Sequence, residues 1–246
     1  MESNLVDNME KITLSIYVPC FNEENNIVNT LNNIKEGVQQ ISYEVLVVDD
    51  ASKDKTIEVV EKFKKNNPDV NIKILRNENN RGIGFNYRET AHRALGKYYM
   101  LICGDAPQPS GEIKKMVNNI GKADMILIYY IETRGVARRT LSRVYNFIIN
   151  LITLNNIKYY NGTNIHLLEN VKLYSGKGSG FGYSAELITA QIREKKTYVE
   201  VETSYIPPPH LSQLPAPRVM PSIIESIISI FFNQIIHVVK KILKIK

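Results

Sequence analysis

Short apolar runs and helix-period stripes alternate along the first hundred residues. ITLSIYV (12–18), YEVLVV (43–48), NIKILR (71–76) and KYYMLIC (97–103) are rich in β-branched and aromatic residues. Near-continuous apolar runs of this length predict strands covered on both faces. Between them Ile27, Leu31, Ile34 and Val38 recur at helical spacing, with Gly37 near the end of the stretch. Ile57, Val60 and Phe63 mark a second helix that stops before Asn67-Pro68, and a third helix is predicted from about 84 to 95, after the turn Gly82-x-Gly84.

Beyond residue 120 the pattern is mixed. ADMILIYYIE (123–132) predicts a strand. ARRTLSRVYNFIINLITL (137–154) predicts a helix with Leu141, Val144, Tyr145, Ile148 and Ile152 on its apolar side. GFGYSAELITAQIREK (180–195) reads as a further helix, and TYVEVETSYI (197–206) as an alternating strand. Pro207-Pro208-Pro209 halts that strand, because proline donates nothing to a ladder.

Strands alternating with helices imply right-handed crossovers and an α/β fold with a mainly parallel sheet. Ligands of such sheets sit beyond the carboxyl ends of the strands, where the strand order reverses. The exceptional polar residues fall at those ends: Pro19 to Glu23, Asp49-Asp50 and Gly104-Asp105. One site built by three strand ends is the expectation.

The last segment, 221–246, carries apolar residues at 223, 224, 227, 228, 231, 232, 235, 238, 239 and 242, one wide stripe at the helical period. Pro221 stands near its start and lysines at its end. Glu225, Asn233, Gln234 and His237 argue for an amphipathic helix on a membrane surface or an oligomer contact rather than a span. The expected division is a domain over 1–206, a Pro-rich connector over 207–220 and this helix over 221–246.

Composition narrows the class. In 246 residues, 43% hydrophobic and 23% charged content belongs to a folded chain, and the length suits one large α/β domain. Cys20 and Cys103 make no disulfide framework, which points to a reducing cytosolic compartment. The start MESNLVDNMEKITLS is acidic and polar, unlike a signal peptide, and nothing reaches 18 consecutive apolar residues. In this reading the sequon at Asn161 carries no glycan. The net charge of +6 is uneven: Lys240, Lys241, Lys244 and Lys246 against Glu225 supply +3 of it. Lysines at the end of an apolar helix suit anionic lipid headgroups. A basic face with interleaved aromatics is not evident, so no nucleic-acid partner is expected.

Four motifs stand in order: VPCFNEENNI (18–27), VVDDASKDKT (47–56), NRGIGFNYRETAHRALGKYY (80–99) and GDAPQP (104–109). With the closing stretch GYSAELITAQIREKKTYVEVETSY (182–205), the chain resembles a family-2 glycosyltransferase of the GT-A fold over roughly residues 11 to 206. It is most similar to the polyprenyl-phosphate, dolichyl-phosphate mannose synthase-like branch. The resemblance implies a GT-A, Rossmann-like sheet flanked by helices. It also implies inverting transfer of a sugar from a UDP- or GDP-linked donor, with Mg²⁺ or Mn²⁺, to a polyprenyl phosphate or a membrane-proximal glycan. The expected location is cytoplasmic, peripheral on the cytosolic face of the membrane, and a homo-oligomer is compatible with it.

The resemblance also implies roles. Pro19, Phe21 and Glu23 would face the nucleoside, and Asp50 with the Val48 backbone would meet the base or ribose. Asp49 and Asp54 would order the turn, and Ser52 would cap the helix that follows. Counting from Gly96-Lys97-Tyr98 through four apolar residues sets Cys103-Gly104-Asp105 on the family's Asp-x-Asp. Asp105 is then the metal and catalytic acid beside the diphosphate, and Cys103 and Gly104 lie against the nucleotide. Cys103 replaces the first acid. A soft neutral thiol serves Mg²⁺ poorly, whereas one carboxylate can hold the ion if the diphosphate supplies the other oxygens. Cys20 is expected close to Cys103 at the switch point.

On the acceptor side, Arg138, Arg139 and Arg143 resemble the phosphate-binding start of a basic helix. Pro208 stands where the family has an arginine, with His210 and Arg218 as nearby replacements, and HLSQL replaces the usual Gly-x-Ser-Lys loop. Glu186 matches a family acid, either a general base for a hydroxyl acceptor or a structural hydrogen-bonding group. The departures at Cys103 and Pro208 leave a second reading: a catalytically degenerate relative that binds a nucleotide or a partner. A dinucleotide oxidoreductase is disfavoured, because Gly82-x-Gly84 lacks a third glycine and follows the third strand. Arg81, at the mouth of that turn, is a further phosphate candidate.

Overall fold

The computed structural model describes residues 11–105, 108–131, 136–176, 178, 180, 182–204 and 216–243. The elements run β1 (Leu14–Cys20), α1 (Ile27–Gly37), β2 (Tyr43–Asp49), α2 (Thr56–Asn66), β3 (Ile72–Arg76), α3 (Ile83–Arg93), β4 (Tyr98–Leu101) and α4 (Ser110–Val117). They continue with β5 (Met125–Ile131), α5 (Val136–Thr153), β6 (Ile165–Leu167), α6 (Leu168–Lys172), α7 (Tyr183–Arg193), β7 (Tyr198–Ser204) and α8 (Ala216–Leu243).

One sheet of seven strands has the order β3-β2-β1-β4-β6-β5-β7. β1 pairs in parallel with β2 and β4, and the order reverses between them. Strand β6 is antiparallel to both neighbours, so the sheet is mainly rather than wholly parallel. Side chains alternate across β1. Leu14, Ile16, Val18 and Cys20 pack on one face with Ile27, Leu31 and Ile34 of α1 and Ile113 of α4. Tyr17 points to the other face, among Tyr87, Tyr99 and Tyr183.

Cys103 packs against that second face while Cys20 belongs to the first. The two are electrostatic neighbours, as expected, but both are free thiols. At the opposite end of the sheet, the fully buried Glu44 accepts from Ser15 Oγ at 2.6 Å, the Leu95 N–H at 2.7 Å and Lys73 Nζ at 2.8 Å. A buried carboxylate needs such partners, and these tie β1, β2, β3 and the approach to β4 together.

Three elements were not foreseen: α4, β6 and α6. The C-terminal helix also begins at Ala216 rather than near Pro221, and Pro221 lies inside it. Helix α8 does not trail free. Ile230 is buried in a cluster with Tyr145 and Ile149 of α5 and with Ala185 and Ile188 of α7. A Cβ on Gly182 would lie 2.2 Å from the Ser226 Cβ, so only glycine permits this approach to α8. The rest of α8 is largely exposed, including Ile224, Ile228, Phe232 and Ile236. By length and composition Met220–Leu243 is long and apolar enough to cross a membrane. The criterion of consecutive apolar residues missed this because Asn233, Gln234 and His237 interrupt the run.

Candidate functional site

The loops after β1 and β2 are laced together by the motif residues. The Asn22 N–H donates to Ser52 Oγ at 2.9 Å, the Glu23 N–H to Thr56 Oγ1 at 2.7 Å, and the Glu24 N–H to Asp54 Oδ2 at 3.0 Å. In return the Lys53 and Lys55 N–H groups donate to Asn22 Oδ1 and Glu24 Oε2. Ser52 therefore joins two loops and does not cap α2. Asp54 serves the helix start instead, accepting from the Thr56 N–H at 3.0 Å. Asp49 orders the turn as expected, accepting from the Ser52 N–H at 3.1 Å with Arg76 Nε at 3.3 Å. Ala51, between them, is held at a left-handed φ of 68°.

Asp50 is 6% exposed. Its Oδ1 accepts from Asn77 Nδ2 and the Arg81 N–H, both at 2.8 Å, and its Oδ2 from the Gly82 N–H at 3.0 Å. Burial alone would raise its pKa, but these bonds to the ionised form outweigh it and hold the carboxyl below the usual range. In front of this cluster opens a cleft of about 650 Å³, walled by Phe21, Ala51, Ser52, Lys53, Arg76, Asn77 and the 78–80 turn. Phe21 is 46% exposed there and offers an aromatic surface to a planar ligand.

Beyond β4, the Gly104 N–H donates to the Pro19 carbonyl at 3.1 Å, and the Gly104 carbonyl accepts from Thr30 Oγ1 at 2.9 Å. A Cβ at Gly104 would fall 2.9 Å from the Pro19 carbonyl oxygen and 3.0 Å from Cys20 Sγ, so the glycine lets Asp105 emerge tight against β1. Burial raises the Asp105 carboxyl above its ordinary range. Glu23 is half-buried and is pushed up to about 7, first by burial and further by Asp105 and Asp54, against the bond from Asn26. Burial also pushes the Cys103 thiol far up, so it stays neutral. Among the described residues no group of three or more His, Cys, Asp or Glu side chains converges as a metal cage. Two crowded carboxylates at one mouth instead suit a hard cation whose remaining ligands are water and phosphate.

The sheet thus brings Pro19, Phe21, Glu23, Val48, Asp50, Cys103, Gly104 and Asp105 to one edge, at the ends of β1, β2 and β4. Gln108, just past this loop, donates to Thr163 Oγ1 at 2.7 Å, and Thr163 lies 2.7 Å from the Tyr130 hydroxyl. Tyr130 in turn walls a second cleft of about 120 Å³, shared with Ser142, Arg143, Asn146, Lys158 and Tyr159. Arg143 lies there, and Arg139 is partly buried on the same helix. The side chains of Arg138 and Arg218 lie outside the described residues, as do Pro208 and His210.

Glu186 is not gathered into the strand-end cluster. Its Oε2 accepts from the Tyr174 hydroxyl at 2.9 Å, and Ser229 of α8 also bonds it. Glu225 and Arg88 are its charged neighbours, and burial raises its pKa. Sequence reasoning missed Lys53, Arg76 and Asn77 on the first cleft and Lys158 on the second. Asn77 had one signal: it directly follows the third strand, whose carboxyl end was not counted among the site-forming ends.

A dolichyl-phosphate β-glucosyltransferase of Dictyostelium discoideum is 27% identical over 172 residues, covering 61% of this chain and 53% of that protein. A dolichol-phosphate mannosyltransferase of Pyrococcus furiosus is 26% identical over 115 residues, 47% of this chain and 32% of that one. The chain thus aligns with about half, or less, of these relatives' lengths. Among solved structures, glucosyl-3-phosphoglycerate synthase from Mycobacterium tuberculosis, in complex with Mn²⁺, UDP and phosphoglyceric acid, superposes with a TM-score of 0.69 at 15% identity. That match covers 88% of this chain and 78% of the other, and it establishes a shared fold. The sequence profile of glycosyl transferase family 2 matches residues 15–186, which contain the laced loops, Asp50, Asp105 and Glu186, and the chain belongs to that family.

Proposed function

We propose that the protein is an inverting glycosyltransferase that takes a sugar from a nucleotide-diphosphate donor, UDP- or GDP-linked. Its acceptor would be a polyprenyl phosphate or a membrane-proximal glycan. The observation that carries this reading is the juxtaposition, at one sheet edge, of a nucleoside-sized cleft beside Phe21 and the carboxylate of Asp105. Asp105, with Glu23 beside it, would hold Mg²⁺ or Mn²⁺ against the donor diphosphate. When bound, the ion supplies positive charge that stabilises the departing diphosphate. The relatives' activities and the metal and UDP in the solved neighbour support the same direction.

Inversion needs the acceptor oxygen to approach the sugar from the side opposite the diphosphate. A phosphate acceptor is already anionic and requires cations rather than a base. Arg143, Lys158 and the Ser142 hydroxyl on the second cleft suit that task, with Arg138, Arg139 and Arg218 as further candidates. With Glu186 tied to Tyr174 and Ser229, the phosphate acceptor is the favoured of the two. The exposed apolar side of α8, ending in Lys240 and Lys241, supports attachment to an anionic membrane surface, and the proposed side is the cytosolic one.

Calorimetric titration of UDP and GDP, with and without Mn²⁺, into the wild type and Asp105→Ala tests the donor half. Metal-dependent binding of one nucleotide, lost in the variant, is the expected result. Failure of a folded protein to bind either nucleotide refutes the reading. Binding without sugar turnover on any polyprenyl-phosphate or glycan acceptor would instead favour the non-catalytic relative.

A further inference from the structure

We infer that α5 and α8 together form the membrane-binding surface, both lying in the plane of an anionic leaflet and neither crossing it. This rests on the attachment through α8 proposed above, adds the helix that shares it, and is independent of the donor reading.

Helix α5 has three sides. Tyr145 and Ile149 are buried in the cluster that also holds Ile230 of α8. Ser142, Arg143 and Asn146 line the second cleft. On the remaining side Val144, Phe147 and Leu151, continued by Leu154 just past the helix end, are 49%, 67%, 63% and 86% exposed. Steps of three and four residues set them in one stripe. Neither the core nor the two clefts use that stripe, and a contiguous apolar row on a surface marks a contact with something else.

Helix α8 carries a second stripe, with Ile228, Phe232, Ile235 and Val239 exposed at helical spacing. Another side of it is fastened to the domain: Ser226 to Tyr145 at 3.0 Å, Ser229 to Glu186, and Ile230 in the core. A Cβ on Gly180 would lie 2.3 Å from the Ser222 Cβ, so the close approach extends over Ser222 as well. The stretch Met220–Leu243 is long enough to cross a bilayer only if these contacts are given up. With the helix docked as far as Ile230, the part beyond it, 231–243, measures about 20 Å against a hydrocarbon core of about 30 Å. A full span would also take Glu225, Asn233, Gln234 and His237 into the hydrocarbon. Lying along the surface avoids both costs.

Charge names the occupant. Residues 133–168, which contain α5, hold five lysines and arginines and no carboxylate, and residues 216–246 hold five against Glu225 alone. These stretches carry +5 and +4 of a chain whose net charge is +6, so the rest of the molecule stands at −3. Apolar stripes accompanied by cations on both helices fit acyl chains under anionic headgroups. A second copy of the same face would instead set like charges against each other. Arg143 directly precedes Val144, so α5 in the interface brings the second cleft to the level of the lipid phosphates.

The test uses the full chain, which has no tryptophan, with Phe147→Trp and Phe232→Trp as single emitters at exposed positions. Each is titrated with vesicles of phosphatidylcholine, alone or mixed with phosphatidylglycerol. Both emissions should shift to the blue on the mixed vesicles, with binding to phosphatidylcholine alone roughly tenfold or more weaker. Lipids brominated near the headgroup end of the chain should quench both probes more than lipids brominated near the terminal methyl. Leu151→Asp, added to either variant, should weaken binding roughly tenfold or more, the loss of one inserted leucine side chain. A response from Phe232→Trp alone overturns the inference and leaves attachment through α8 standing. Strongest quenching of Phe232→Trp near the terminal methyl means a span and overturns it too. A blue shift without vesicles that grows with protein concentration, alongside a dimer in sedimentation, assigns the face to a second copy and overturns the leaflet. Silence of both probes on every vesicle removes the attachment and this inference together.

Discussion

The hydroxyls of Ser226 and Tyr145 lie 3.0 Å apart, a bond that fastens the C-terminal helix α8 to α5. Beside it, Gly182 leaves no room for a methyl group against Ser226. Gly182→Ala should therefore lift the first half of α8 from α7, at a cost of about 1–3 kcal/mol for overpacking. Hydrogen exchange should show faster amides through α8 and little change in β1 and β2. Unchanged exchange in α8 would mean that the contact yields without consequence.

Gly104→Ala probes the donor edge in the same way. The new methyl group would press on the Pro19 carbonyl and Cys20 Sγ and displace Asp105. Metal-dependent nucleotide affinity should fall by about tenfold or more while the fold persists, since binding sites tolerate little misplacement. Gly111→Ala is the control. It lies in α4 with nothing within 4 Å of the added Cβ, and should stabilise the protein by roughly 0.5–1 kcal/mol.

Ala51 occupies the left-handed region between the hydrogen-bonded Asp50 and Ser52. That conformation costs an L-residue roughly 1–2 kcal/mol, which glycine avoids at the expense of unfolded-state entropy. Ala51→Gly should raise the melting temperature slightly without weakening nucleotide binding. A lower melting temperature would show that the alanine methyl packs more favourably than its backbone is strained.

His166 is buried on β6 and its pKa is lowered to about 4 by loss of solvation, against a weaker opposing bond from Gln191. The unfolded chain then binds the proton more readily than the folded one, so stability declines as pH falls from about 6.5 towards 4. The full penalty is on the order of 3 kcal/mol. His166→Gln should flatten this part of the stability–pH curve, measured by urea unfolding at pH 7 and pH 4.5. An unaltered slope in the variant would place the acid sensitivity elsewhere.

Much of the first half was legible because its strands are apolar on both faces and its helices have one clear stripe. Val45 to Val48 of β2 and Ile27, Leu31 and Ile34 of α1 are buried as their spacing requires. Asp49 and Asp54 hold the turn as read. The second half obeys tertiary rather than local rules. Ile165–Leu167 is a three-residue strand with a buried histidine at its centre, too short to show a period. Helix α4 follows two prolines and has only eight residues, too few to show a clear stripe. Pro221 read as a helix start, but it lies inside α8, in its second turn, where it forgoes a ladder bond and crowds the preceding turn. The tie of Glu186 to Ser229 joins positions remote in sequence, and no spacing announces it.

The short antiparallel strand has a mechanical consequence. Strand β1 runs alongside β2 from Leu14 to Cys20, and β5 alongside β7 from Met125 to Ile131, whereas β6 bridges the halves only through Ile165, His166 and Leu167. It is the seam of the sheet. Under load, or with the seam histidine charged, the molecule should part there first into two leaves that keep their own ladders. The leaf carrying Phe21 and Asp105 would then separate from the one carrying Arg143 and Lys158 before either frays.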